Sequence, residues 1–155
     1  MFQFINGLFQ HLPLTEHAPE YVYDTNALLD AILDRDGSKD MQLLMELGRL
    51  GEIRNYTSVL TIANIAYVVR KIVPPTEIRH ILKQYVKAFE VLPMDAGCVD
   101  EAIRFPGKDF EDNLQIACAI ANNCNFIISR NIKDFQHSPI PVYTINNFVD
   151  NLVSE

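Results

Sequence analysis

The chain has 155 residues, 48% of them hydrophobic and 21% charged, proportions that suit one domain with a core of its own. A net charge of −7 and a pI near 5.0 exclude a protein that coats nucleic acid by bulk attraction. No apolar run reaches the ~18 residues a membrane span needs. Cys98, Cys118 and Cys124, an odd number without Cys-x-x-Cys spacing, exclude a disulfide framework and fit a reducing, cytoplasmic setting.

Residues 1–19 read as an extension that lacks Lys and Arg and contains Pro13 and Pro19. Phe2, Ile5, Phe9 and Leu12 fall at helical spacing and predict a short amphipathic helix. Gln3, Asn6, Gly7, Gln10 and His11 break the apolar run that a secretory signal would need. Residues 20–155 form the domain proper, in which strands and helices alternate. Glu20–Tyr23 is a short β-rich run ending at Asp24, and Thr25–Leu33 reads as a helix. A second helix is expected over Lys39–Leu50, stopped by Gly51. Arg54–Thr57 is a strand candidate. Ser58–Ile72 reads as an apolar helix with Ile62, Ile65, Ala66 and Val69 at i, i+3, i+4, i+7. Pro74 and Pro75 end it and open the next helix, whose Ile78, Ile81, Leu82, Tyr85 and Phe89 share a face. Glu90–Leu92 is a third strand, followed by a helix over Asp95–Arg104. Asp109–Asn122 is a helix with Leu114, Ala117, Cys118 and Ala121 on its inner stripe. Phe126–Ser129 is a buried strand, Val142–Thr144 a short one, and Ile145–Leu152 a closing helix. The alternation predicts a three-layer α/β/α fold around a central, mostly parallel sheet of four to five strands.

Ligands of open parallel sheets gather beyond the carboxyl ends of the strands. That rule selects Asp24 and the segment from Ser129 to Asn131. Asp24 there can ligate a cation or simply cap the helix that follows. Asp109 and Asp112 lie three apart at a helix start, so they share a face; on spacing alone, capping and the helix dipole account for them better than chemistry does. Asn64 interrupts an apolar helix, either as a satisfied amide or as a polar group aimed at a site. The loop from Ser129 to Phe135 reads alone as a turn. The six glycines form neither G-x-G-x-x-G nor a Walker loop, which excludes a nucleotide-binding domain of those types. The four histidines have no metal-like spacing, which argues against a zinc hydrolase.

Taken in order, four segments resemble the PIN-domain family over residues 20 to about 148. They are Asp24-Thr25-Asn26 after the first strand, Asn64 within the apolar helix, Asp112-Asn113-Leu114 through Ala119, and Ser129-Arg130-Asn131-Ile132-Lys133-Asp134-Phe135. The likeness is to the bacterial branch related to toxins of toxin–antitoxin pairs, in a subgroup with Asn in place of two acidic residues, here Asn64 and Asn131. The resemblance implies a ribonuclease dependent on Mg²⁺ or Mn²⁺. Asp24 and Asp112 would be the metal ligands, with Asp109 and Asp134 completing the catalytic set. Asn26, Asn64, Ser129 and Asn131 would be auxiliary. Arg130, Lys133 and Lys108 would meet the phosphates of a single-stranded RNA. An antitoxin protein and a homodimer are the implied partners, with no membrane association. The two Asn positions lower the site's charge, and hard cations prefer carboxylates. They therefore support an alternative in which a weak or inactive PIN-like module binds RNA or a protein.

Overall fold

The structure, a computed structural model, describes residues 20–35 and 37–154, with side chains through residue 151. The helix expected near the start of the chain lies outside the described residues. Within them the chain runs β1 (Glu20–Tyr23), α1 (Thr25–Ile32), α2 (Ser38–Arg49), β2 (Arg54–Ser58), α3 (Val59–Val69), α4 (Pro75–Ala88) and β3 (Glu90–Leu92). It continues with α5 (Ala96–Arg104), α6 (Phe110–Ala121), β4 (Phe126–Ile128), a 3₁₀ turn (Ile132–Phe135), β5 (Val142–Tyr143) and α7 (Ile145–Ser154). All four strand pairings are parallel, in the order β3-β2-β1-β4-β5. The fold is the three-layer α/β/α arrangement with five strands.

The period-two alternation of β1 assigns the layers. Tyr21 and Tyr23 enter a core built with Leu28 of α1, Leu44 and Leu47 of α2, Ile65 of α3 and Phe148 of α7. Val22, between them, enters the opposite core with Tyr56, Ile116, Cys118 and Ile127. α5 packs outside α6 through Cys98, Ala102 and Ala117. A buried polar contact pins the first core: Tyr23 Oη donates to Asn55 Oδ1 at 2.8 Å, and Asn55 Nδ2 donates to the Leu44 carbonyl at 2.9 Å. Gly51, at φ +79°, supplies the left-handed residue that ends α2. Ser58, expected to open α3, instead ends β2 and caps α3 by accepting the Thr61 N–H at 3.0 Å. Among the described residues, no helix is long and apolar enough to cross a membrane.

Chain order reverses between β1 and β4: β2 and β3 lie on one side of β1, and β4 and β5 on the other. The carboxyl ends of β1 and β4 therefore flank the switch point, where open α/β sheets form their crevice.

Candidate active site

β1 and β4 bring Asp24 and Ser129 together. The Asp24 N–H donates to the Ile128 carbonyl at 2.9 Å, carrying the ladder one residue past β1 at the end of β4. Asp24 caps α1, with Oδ1 accepting the Asn26 N–H at 2.7 Å. Its Oδ2 accepts the Ser129 hydroxyl at 2.5 Å, and Ser129 Oγ accepts the Asn131 N–H at 3.2 Å. Capping and chemistry are not exclusive here, because each carboxylate oxygen keeps a second lone-pair direction. Burial raises the Asp24 pKa; the bonds from Ser129 and Asn26 and the charge of Arg130 oppose it without cancelling it.

The start of α6 faces this corner. Asp109 caps the helix through the Glu111 N–H at 2.8 Å, and Asp112 follows in the first turn. Asp112 is half-buried and makes no hydrogen bond or ion pair among the described residues. Partial burial, then the charges of Asp109, Asp24, Asp134 and Glu111, push its pKa up to about 7. Five carboxylates thus act on one another at the end of the sheet.

Two amides hold the outer carboxylates. Asn64 of α3 donates from Nδ2 to Glu111 Oε1 at 2.5 Å, with a longer contact of 3.4 Å to Thr25 Oγ1. Asn131 donates from Nδ2 to Asp134 Oδ2. Glu111 was not among the residues singled out by the sequence, since helical spacing pairs Asp109 with Asp112 and passes over it. A buried network also escapes sequence reading: Gln115 of α6 donates to Thr61 Oγ1 at 2.7 Å and accepts from Ser58 Oγ at 3.0 Å. It fixes α6 against β2 and α3, and so sets where Asp112 and Glu111 stand. The available signal is a Gln between Leu114 and Ile116 on an otherwise apolar helix.

Two clefts meet at the carboxylates. One, about 570 Å³, is lined by Lys108, Asp109, Asp112, Lys133, Asp134 and His137. The other, about 390 Å³, is lined by Asn26, Asn64, Tyr67, Asp109, Glu111, Asp112 and Asp134. They share Asp109, Asp112 and Asp134. Asn113 builds the rim of the first: its Nδ2 faces the carbonyls of Ala102, Phe105 and Gly107 at 3.2 to 3.3 Å. Its Oδ1 therefore accepts, and His137 Nε2, 2.8 Å away, carries the proton. Gly107 is needed there, because a Cβ would run into Asn113 Oδ1 and the His137 ring.

Arg130 turns elsewhere. Its guanidinium pairs with Asp30 at 3.0 Å, where Arg35 also approaches at 3.4 Å. Together they line a separate cleft of about 690 Å³ that contains none of the five carboxylates. That cleft is larger than the other two, but it lacks the converging acids that could handle a phosphodiester.

The donor set at the sheet end is entirely oxygen: carboxylates, amides and hydroxyls, the chemistry that hard divalent cations select. Among the described residues, no three His, Cys, Asp or Glu form a ready-made cage. The fit instead lies in Asp112, a carboxylate without a hydrogen-bond or ion-pair partner, whose pKa is raised first by burial and then by neighbouring acids whose charge a cation would offset.

Comparison with known proteins agrees with the fold. VapBC-1 from nontypeable Haemophilus influenzae aligns with a TM-score of 0.64 at 17% identity, over 81% of this chain and 98% of that one. VapBC2 from Rickettsia felis, bound to a promoter DNA fragment, gives 0.61 at 21% identity, over 80% and 97%. FitAcB from Neisseria gonorrhoeae gives 0.62 at 15%, over 81% and 97%. No curated protein matches the chain by sequence. Residues 20–133 match the PIN domain, a span that takes in Asp24, the acidic start of α6 and the Ser129 loop as far as Lys133, and the chain belongs to the PIN-domain family.

Proposed function

We propose that this protein is an endoribonuclease of the toxin type, dependent on Mg²⁺ or Mn²⁺ and acting on single-stranded RNA. The observation that carries the reading is Asp112: a half-buried carboxylate with no partner, surrounded by four others at the topological switch point. Asp24 and Asp112 would hold the ion, with Asp109, Asp134 and Glu111 beside them. When bound, the ion supplies Lewis acidity at the phosphodiester and offsets the repulsion among the carboxylates. Ser129 and the Asn26 N–H fix the Asp24 carboxylate in one orientation. Asn64 and Asn131 hold Glu111 and Asp134 in the same way. Lys108 and Lys133, on one bank of the acids, would meet phosphates that the acids themselves repel.

One protein of similar fold is a toxin–antitoxin complex, from Klebsiella pneumoniae, which supports an antitoxin as the protein partner here, and we propose a homodimer with it. The test is cleavage of a mixed single-stranded RNA pool in Mn²⁺, Mg²⁺ or EDTA. Wild type runs beside Asp24→Asn and Asp112→Asn, all three verified as folded. The expected result is metal-dependent cutting lost in both variants. Cutting that persists in EDTA or survives both substitutions would overturn the assignment. A wild type that neither cuts nor binds metal by calorimetry would be a binding module.

A further inference from the structure

Resting on that reading, the second cleft carries more. We propose that Tyr67, backed by Arg70, is a nucleobase platform. A single-stranded nucleic acid would cross the carboxylates with phosphates near Lys108 and Lys133 on one bank, Arg70 and Lys71 on the other, and a base stacked at Tyr67.

Tyr67 lies one turn beyond Asn64 on α3, so the two share a face. Both line the cleft that contains Glu111 and Asp112. Yet Tyr67 remains 54% exposed, while Ile65 and Val69 of the same helix are buried. The Arg70 guanidinium carbon lies 3.9 Å from its ring centroid and the Lys71 ammonium 5.4 Å away. Among the described residues, neither cation has an acidic partner. Cation–π contact steadies the ring, and more than half of the residue's surface stays exposed beside the cleft it lines.

Charge supplies the second argument. Five carboxylates repel a polyanion, so the strand needs cations on both sides of the centre. On the first bank these are Lys108 and Lys133; on the second, Arg70 and Lys71 stand closest to the cleft-lining Tyr67. An aromatic ring beside unpaired cations is the pairing that single-stranded nucleic acids use, one for the base and the other for the backbone. A duplex hides its base faces, so the platform selects an unpaired strand.

The test uses the full chain in Ca²⁺, with fluorescence anisotropy on a short single-stranded RNA and on a backbone of equal length carrying stable abasic sugars. Tyr67→Ala is expected to bind the RNA about tenfold more weakly, and the abasic strand as well as wild type does. Tyr67→Phe should retain the affinity. Arg70→Ala should weaken both ligands. Equal RNA binding by wild type and Tyr67→Ala would overturn the platform, as would equal loss on both strands. Tyr67-dependent RNA binding in a protein that cuts nothing would keep the platform and sink the nuclease. Metal-dependent cleavage indifferent to Tyr67 would do the reverse.

Discussion

Replacing Asp112 by Asn should make the metal-free protein more stable while abolishing metal binding. In the folded chain the Asp112 carboxyl moves from its ordinary 3.8 to about 7, driven by partial burial and four acidic neighbours. Each pKa unit corresponds to about 1.4 kcal/mol of differential interaction. The displacement of about three units would cost about 4 kcal/mol in a dry site. Asp112 opens onto both clefts, and water there screens the repulsion, so about half of that, ~2 kcal/mol, is the realistic gain from an uncharged isostere. For a chain of this length, that raises the thermal midpoint by about 4–8 °C.

The pH dependence follows from the direction of the shift. Between pH 3.8 and 7 the folded state binds more protons at this site than the unfolded state, so stability falls as pH rises through that window. The advantage of Asp112→Asn is therefore full above pH 7 and shrinks to under half by about pH 5. Urea or thermal unfolding in EDTA at pH 8 and pH 5 measures it. Mn²⁺ should then reverse the order: wild type gains about 2.7 kcal/mol at a hundredfold excess over its Kd, and the variant gains nothing. A variant neutral or destabilised at pH 8 in EDTA would refute the electrostatic account. An effect equal at both pH values would show a packing change instead.

Two further outcomes test the surroundings. Glu111→Gln should weaken Mn²⁺ binding several-fold by calorimetry, because the carboxylate held by Asn64 loses its charge next to the ion; unchanged affinity would remove Glu111 from the donor set. Lys108→Ala with Lys133→Ala should weaken RNA binding and flatten the dependence of log K on log salt, by ~0.7 for each phosphate no longer neutralised. Metal affinity should stay at the wild-type value, and a drop in it would mean that these lysines shape the site.

Local pattern made much of this molecule legible. The alternation of strand and helix, the caps at Asp24 and Asp109, and the helix stop at Gly51 are short-range signals that the chain carries within a few residues of where they act. The sheet-end rule then placed Asp24 near Ser129, although 105 residues separate them. What stayed hidden depends on contacts between distant elements. Glu111 enters the site through Asn64, 47 residues earlier. Arg130, expected beside the phosphates, is held by Asp30 across 100 residues. The lock of Gln115 on Ser58 and Thr61 spans more than 50. None of these partners shares a helix turn or strand register with the residue it holds, so no periodicity could join them.

The two amides that weaken the resemblance to an acidic nuclease take on a different meaning in three dimensions. Asn64 and Asn131 each donate an N–H to a carboxylate of the cluster, Glu111 and Asp134. An acid at either position could not donate when ionised; it would repel the same partner. Partial burial and then four negative neighbours already push the Asp112 pKa up to about 7. A sixth and seventh carboxylate would push it higher and destabilise the metal-free fold further. The amides therefore restrain the charge of the metal-free site while orienting the carboxylates that remain. On this account Asn64→Glu leaves Glu111 without its donor, so restoring the family's usual residue should lower stability in EDTA instead of simply improving the metal site.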